Sequence, residues 1–250
     1  MKAVFLTDRG KVRLHNEDAG GVFLNPDGIR LAIVADGMGG HRAGDVASEM
    51  TLTQLKDEWE KATGIETAEI AEKWLKESIT KVNALLLDHA TNNSECDGMG
   101  TTIVAAIITD RFATVAHIGD SRGYLLNETG FKQITDDHSL VNELVKTGQI
   151  SKEDAEHHPR KNVLLRALGT EKAVDIDITT IIFEEGDILL LCSDGLSNKV
   201  SEKEMTEILL NDDELDQKAS TFISLANQYG GEDNITLVIV EFSASIEGDV

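Results

Sequence analysis

The sequence predicts an α+β fold with four layers, a sandwich in which two mostly antiparallel β-sheets lie between pairs of helices (αββα). Strand-like and helix-like segments follow one another in groups rather than in strict alternation, which favours antiparallel sheets with helices on their outer faces. The 250 residues also contain no internal repeat, no clear linker and only two prolines. We therefore expect a single domain over residues 1–250.

The first part of the chain should form three strands and then two helices. The strands are predicted at 2–7, 20–25 and 29–36, and the segment Asn25-Pro-Asp-Gly28 is a strong hairpin signal between the last two. Apolar residues then recur at helical spacing in two segments. They are Leu52, Leu55 and Trp59 in the first helix, and Ile70, Trp74, Ile79, Val82 and Leu86 in the second.

The second part should resume with strands that a polar insertion interrupts. A block of strands is predicted at about 100–134. Residues 137–165 are polar and should form short helices, one at His138–Lys146 and one opened by Ser151, as an inserted surface subdomain or flap. The remaining predictions are strands at 176–182, 187–193 and 235–242, helices starting at Ser201 and Glu214, and a frayed tail at about 243–250.

The composition excludes several classes of function. Lys and Arg number 23 against 45 Asp and Glu, a net charge of −22, so a surface of this kind repels nucleic acid and anionic membranes. No apolar run approaches the length of a membrane span, and the apolar stretch after Met1 is too short for a signal peptide. Two cysteines, Cys96 and Cys192, make a disulfide framework improbable. We expect a cytoplasmic monomer.

Aspartates stand at the ends of four apolar, strand-like runs. Asp36 follows 31–35, Asp120 follows 112–118, Asp194 follows 188–193, and Asp233 precedes 235–240. Asp-Gly and Gly-Asp are also turn dipeptides, so each aspartate alone is more often a turn residue than a ligand. Buried carboxylates must be solvated, paired or bound to a cation. Together the four predict an oxygen cage for two Mg²⁺ or Mn²⁺ ions and a dinuclear metal-dependent hydrolase.

Two loops near the start of the chain carry further candidates. The segment 7–18 mixes cations and acids, and an arginine there could bind a phosphate or belong to a solvated turn with local salt bridges. The glycine-rich loop after Asp36 is no dinucleotide fingerprint, because Arg42 stands at the position of the third glycine. His41 in this loop could be a general acid or an exposed residue at the helix start.

Six motifs, in order along the chain, resemble those of bacterial protein phosphatases of the PP2C, or metal-dependent PPM, family. They are Arg13 with Glu17-Asp18, Asp36-Gly-Met-Gly-Gly40, Gly98-Met-Gly-Thr-Thr102, Gly119-Asp-Ser-Arg122, Ser193-Asp-Gly195 and Asp233-Asn234. The segments 137–139 and 162–169 look like the flap segment of that family. The resemblance runs from about Thr7 to Val240, and the combination is specific although each piece alone is weak.

The resemblance implies the αββα fold and an enzyme that removes phosphate from phosphoserine and phosphothreonine in proteins. The attack would be in line, by a hydroxide that bridges two Mn²⁺ or Mg²⁺ ions. Arg13 would grip the substrate phosphate, and catalysis would rest on Arg13, Asp36, Asp194 and Asp233. The flap would tune substrate access. The partners would be phosphorylated proteins, including a bacterial Ser/Thr kinase that the phosphatase opposes.

The resemblance also implies the metal ligands. Asp36 would bridge the two ions, with Asp194 and Asp233 completing the first site. The Gly37 carbonyl would serve the second site, and the carboxylates of Glu17 and Asp18 would reach metal-bound water. A weaker third ion would lie between Asp120 and Asp194. The full set of expected metal ligands is Asp18, Asp36, Gly37, Asp120, Asp194 and Asp233.

One departure from the family pattern leaves the general acid open. Eukaryotic relatives place a histidine directly after the Asp-Gly, where this chain has Met38. The proton for the leaving alkoxide could then come from His41, from metal-bound water or from bulk solvent.

Two other functions compete with the phosphatase. A dead phosphoprotein-binding module would usually have lost metal ligands, and the charge of −22 counts against a phosphodiesterase or nuclease.

Overall fold

Eleven strands form two antiparallel sheets in the computed structural model, which describes residues 1–39 and 43–243. The first sheet has the order β1-β11-β10-β7-β8, and the second the order β2-β3-β5-β6-β9 with the short β4 on β3. The strands are β1 Lys2–Asp8, β2 Asp18–Leu24, β3 Arg30–Met38, β4 Gly100–Thr101, β5 Ile103–Ile108, β6 Phe112–Ile118, β7 Arg122–Asn127, β8 Gly130–Gln133, β9 Asp177–Ile182, β10 Ile188–Cys192 and β11 Ile235–Glu241.

Seven α-helices and one short 3₁₀ helix (Ser94–Cys96) accompany the sheets in the described part of the chain. The capping box predicted at Ser201 is present, because Ser201 and Glu204 each bond the other's backbone N–H. The helices are α1 Ala43–Trp59, α2 Ala68–Asn92, α3 Leu140–Lys146, α4 Lys152–Glu156, α5 Asp194–Ser197, α6 Glu202–Leu210 and α7 Leu215–Gln228. None of these helices has the length and apolar character needed to span a bilayer.

Three apolar clusters confirm the predicted four layers. One lies between α1, α2 and the second sheet, another between α6, α7 and the first sheet, and the third between the two sheets. In the helix layer of the first cluster the Trp59 and Trp74 rings meet edge to face, 4.8 Å between centroids. The predicted inner face of α2 was wrong at Ile70, which is 41% exposed. The buried stripe instead starts at Ala71, one residue later, and continues through Leu75 and Ile79.

The segment 137–165 lies between β8 and β9 and contains α3 and α4. Both helices begin after serine caps, at Ser139 and Ser151, so the first starts two residues later than predicted. The two ends of the segment are hydrogen-bonded to each other, since the Leu165 N–H donates to the His138 carbonyl at 2.8 Å. The His138 N–H also donates to the Gly119 carbonyl at 2.9 Å, which fixes these ends to the loop after β6. The predicted tail at 243–250 falls almost wholly outside the described residues.

Candidate metal centre and active site

Strand register places the first two carboxylates side by side. Asp18 opens β2 and stands directly opposite Asp36 on β3. The backbone of Asp36 is held from both sides. Its N–H donates to Thr102 Oγ1 at 3.0 Å, and its carbonyl accepts from Thr101 Oγ1 and from the Thr102 N–H, each at 2.9 Å. The backbone of Asp36 is therefore held in place by the Thr101–Thr102 segment.

Gly37 is required by close packing of the backbone. A Cβ at this position would lie 2.1 Å from the Gly44 carbonyl oxygen and 2.5 Å from that of Glu17. The Gly37 N–H donates to the same Glu17 carbonyl at 3.1 Å. The loop that carries Glu17 and the start of α1 are thus pressed against the end of β3, beside Asp36.

The first sheet supplies the opposing carboxylates and is joined to the second through a serine. Asp194 follows the end of β10, and Asp233 lies just before β11. Ser193 Oγ donates to Asp18 Oδ2 at 2.8 Å and accepts from the Thr236 N–H at 3.0 Å. Gly195 allows the close approach of the two strand ends, because a Cβ there would lie 1.9 Å from the Asn234 carbonyl oxygen.

The carboxylates repel one another in a buried site. Burial, with smaller contributions from the carboxylates of Asp194 and Asp233, raises the pKa of Asp18 to about 7. Burial and the neighbouring carboxylates also raise the pKa of Asp36 well above its usual value and raise that of Asp194. A cluster of carboxylates of this kind is stabilised when it binds either protons or metal cations.

Two buried carboxylate oxygens show whether the site suits a metal ion. Among the described residues, Asp18 Oδ1 and Asp194 Oδ1 have no hydrogen-bond partner. Buried acceptors are nearly always satisfied, so such atoms require an explanation. The surrounding donors are all oxygens, which suits Mg²⁺ and Mn²⁺. The residues present therefore fit hard divalent cations.

Asp120 lies in the loop after β6, at the side of the cluster that faces the flap. Burial, followed by the carboxylates of Asp194 and Asp137, raises the pKa of Asp120 to about 7. Arg122, two residues on, donates to both oxygens of Asp137 at 2.7–3.0 Å. Asp120 thus shares the electrostatic environment of Asp194.

Arg13 lies at the edge of the cluster with its guanidinium partly exposed. Its Nη2 donates to Asp233 Oδ2 at 2.7 Å, and its Nη1 is 3.8 Å from Glu17 Oε2. The side chain keeps 46% of its surface exposed. Asp233 therefore orients the guanidinium while other N–H groups remain accessible to an anion. The candidate His41 lies outside the described residues.

Asn234 organises the Arg13 loop, and the sequence pattern alone did not reveal this role. Its side-chain Nδ2 donates to the carbonyls of Arg9 and His15, each at 2.9 Å, and its Oδ1 accepts from the Glu17 N–H at 2.8 Å. The residue is 3% exposed. Its partners are backbone groups more than 200 residues away in the chain, so no local motif could have indicated them.

A second group of possible metal ligands, His117, His138 and Asp177, is already occupied by a cation. Their ligand atoms lie within 4.8 Å of one another. The guanidinium of Arg166, however, stands 2.9 Å from Asp177 Oδ1 and 3.2 Å from His138 Nε2. The positive charge of Arg166 disfavours a metal ion at this position.

Comparisons with known proteins agree with the geometry of the site. The family model described as "Protein phosphatase 2C" matches residues 8–233. The chain is 54% identical over 248 residues to the serine/threonine phosphatase stp of Listeria monocytogenes, covering 99% of this chain and 98% of that relative.

Two solved structures share the fold along nearly the whole chain. The Streptococcus agalactiae serine/threonine phosphatase superposes with a TM-score of 0.92 at 41% identity, covering 97% of this chain and 99% of that one. The catalytic domain of the phosphatase PstP in complex with two manganese ions superposes with a TM-score of 0.86 at 34% identity, covering 97% and 98%. With a family model that matches most of its length and a relative at 54% identity, the chain belongs to the protein phosphatase 2C family.

Proposed function

We propose that this protein removes phosphate from phosphoserine and phosphothreonine side chains of other proteins, using two Mn²⁺ or Mg²⁺ ions. One observation carries the proposal: carboxylates from both sheets meet in one buried cluster beside Arg13. Two of their oxygens, Asp18 Oδ1 and Asp194 Oδ1, have no hydrogen-bond partner among the described residues. Negative charge on the protein excludes long polyanions from the surface, while bound cations make this one site attractive to a phosphate.

The proposed ligands divide between two core ions and a weaker third. Asp36 would serve both core ions, and Asp194, Asp233 and the Gly37 carbonyl would provide further ligands. The carboxylates of Asp18 and Glu17 would reach water bound to these ions. Asp120 and Asp194 would hold the third ion. Bound ions of this type supply Lewis acidity and a nucleophilic water at neutral pH.

Arg13 binds and orients the substrate phosphate in this proposal. The ion pair with Asp233, at 2.7 Å, fixes the direction of the guanidinium before the substrate arrives. A preorganised donor loses little entropy on binding, and its charge offsets the charge that develops on the phosphoryl oxygens. Asn234 contributes indirectly, because it fixes the backbone on both sides of Arg13.

The chain forms a single domain over residues 1–250 in this proposal, and the flap at 137–165 tunes access of the substrate to the site.

We place the enzyme in the cytoplasm as a monomer that opposes a Ser/Thr protein kinase. Both cysteines are free and buried, as is common in a reducing compartment. The competing function is a phosphoprotein-binding module that lacks hydrolysis.

Hydrolysis of p-nitrophenyl phosphate and of a phosphothreonine peptide tests the proposal. Purified protein should release phosphate with Mn²⁺ or Mg²⁺ and should stop when EDTA is added. Titration of each metal against activity would give the preferred ion. Failure of folded protein to release phosphate with either metal, together with retained binding of the peptide, would establish the binding module instead.

A further inference from the structure

A cleft of about 860 Å³ extends from the carboxylate cluster between the flap and the end of the first sheet. Asp120 and Asp194 line its inner end, so it opens directly onto the proposed metal centre. The flap contributes one wall, including Val141 and Val145, and the turn from α5 to α6 contributes the other, including Val200. A protein substrate whose phosphate reaches the cluster can therefore place part of its chain in this cleft.

The cleft is lined by lysines although the protein as a whole is strongly acidic. Among 23 basic residues in a chain with a net charge of −22, four lysines line this one cleft: Lys132, Lys152, Lys161 and Lys199. Lys199 forms an ion pair with Glu232. The other three are exposed and form no ion pair with any described side chain.

Most acidic groups of the cleft are already neutralised or belong to the metal centre. Asp137 is bound by Arg122 at 2.7 Å, and Asp136 lies 3.3 Å from the ammonium group of Lys146. Asp120 and Asp194 are proposed metal ligands. Glu202 is the remaining acid of the lining, against three exposed lysines, of which Lys161 also attracts the carboxylate of Glu232 at longer range. With Asp120 and Asp194 assigned to the metal centre, five basic residues of the lining stand against three acidic ones, a local excess of positive charge in a protein whose net charge is −22.

We infer that this cleft binds acidic side chains, Asp or Glu, that flank the phosphoresidue in the substrate protein. The inference rests on the proposed phosphatase function. Lys152 and Lys161 on the flap and Lys132 on β8 can each meet a carboxylate of an extended peptide, and the apolar surface of the cleft accommodates the aliphatic parts of the chain. A nucleic acid would present the same charge sign, but its length would bring it against the acidic surface beyond the cleft.

Three phosphothreonine peptides that differ only in four flanking residues, all Glu, all Gln or all Lys, test the inference on the Mn²⁺-loaded full chain. We expect kcat/KM for the Glu peptide to exceed that for the Lys peptide by about tenfold at low ionic strength, since each exposed pair contributes a fraction of a kcal/mol. The ratio should shrink as salt is added. Peptides with flanks on one side only would give the direction of binding.

Charge reversal in the cleft provides the matched variants. Lys132→Glu combined with Lys152→Glu should lower or invert the Glu-to-Lys ratio of kcat/KM. Lys152→Glu alone, at the exposed start of α4, should shift it in the same direction by a smaller factor. Lys76→Glu makes the same charge change on the outer helix α2 and should leave the ratio as in the wild type.

The possible outcomes separate this inference from the proposed function. Equal kcat/KM for the three peptides, in an enzyme that hydrolyses p-nitrophenyl phosphate, would overturn the inference and leave the phosphatase intact. A ratio that Lys76→Glu changes as much as the cleft variants would also overturn it, because it would reflect overall charge. Absence of all hydrolysis would overturn the proposed function itself.

Discussion

The metal-free protein should lose stability as the pH rises from about 5.5 to about 8. Burial raises the pKa of Asp18 from 3.8 to about 7, so the folded state holds a proton that the unfolded state has released. A group of this kind stabilises the folded state below its unfolded pKa, and the contribution disappears as the pH passes the folded pKa. A rise of the pKa from 3.8 to about 7 corresponds to at most about 4 kcal/mol of folding free energy, of which about 2 kcal/mol falls in this pH range.

We assign this loss of stability to Asp18 because the residue is only 8% exposed. Asp18→Asn removes the titrating group while its side chain can still accept a hydrogen bond from Ser193, 2.8 Å from the present Oδ2. In EDTA at about pH 8 the variant should therefore be more stable than the wild type, by up to about 4 kcal/mol. With Mn²⁺ present the order should reverse, because a ligand that binds only the folded state stabilises it.

Urea unfolding followed by circular dichroism, in EDTA and in Mn²⁺ at several pH values, measures both effects. Asp110→Asn, in an exposed turn, is the matched control and should leave the pH dependence unchanged. A wild-type free energy of unfolding that stays flat over this range would refute the reasoning. So would an Asp18→Asn variant that is destabilised equally at every pH in EDTA.

Three further substitutions probe the parts of the site separately. Asp36→Asn should abolish hydrolysis at saturating Mn²⁺ while cooperative unfolding is kept, and wild-type rates would remove Asp36 from the site. Asn234→Ala leaves two carbonyls and one N–H without their Asn234 partner, about 1 kcal/mol each. It should therefore lower the melting temperature and also raise KM for a phosphopeptide, and an unchanged kcat/KM would contradict the positioning role. Gly195→Ala would bring a Cβ to 1.9 Å from the Asn234 carbonyl oxygen, so we expect a loss of about 3 kcal/mol and weaker Mn²⁺-induced stabilisation in thermal melts.

Local sequence patterns predicted the elements of this fold well because each element carries its own signal. The apolar run before Asp36 is strand β3, and the pattern at Ser201 and Glu204 is the capping box of α6. The inner face of α2 was predicted one residue off at Ile70, since periodicity alone does not say which edge of an apolar stripe meets the sheet. The four layers followed from the grouping of strands and helices.

Contacts between distant segments could not be predicted in the same way. The hydrogen bond from Ser193 to Asp18 joins the two sheets across 175 residues of chain. Lys132 and Lys161 become neighbours of one cleft only after the sheet and the flap are assembled. The strand-end aspartates carried a signal because carboxylates are rare beside buried strands. A serine, an asparagine or a surface lysine carries none.

The closed ends of the flap make it an exchangeable module. Its first and last residues bond to each other, at His138 with Leu165 and at Ser139 with Leu164, so its interior can change in length or sequence without shifting any strand. All proposed metal ligands lie outside 137–165. On the role proposed for the flap, substrate choice can therefore change in evolution while the metal ligands stay the same. A chimaera that carries the flap of a relative should keep its metal affinity, and its substrate preference should move part of the way toward that of the relative.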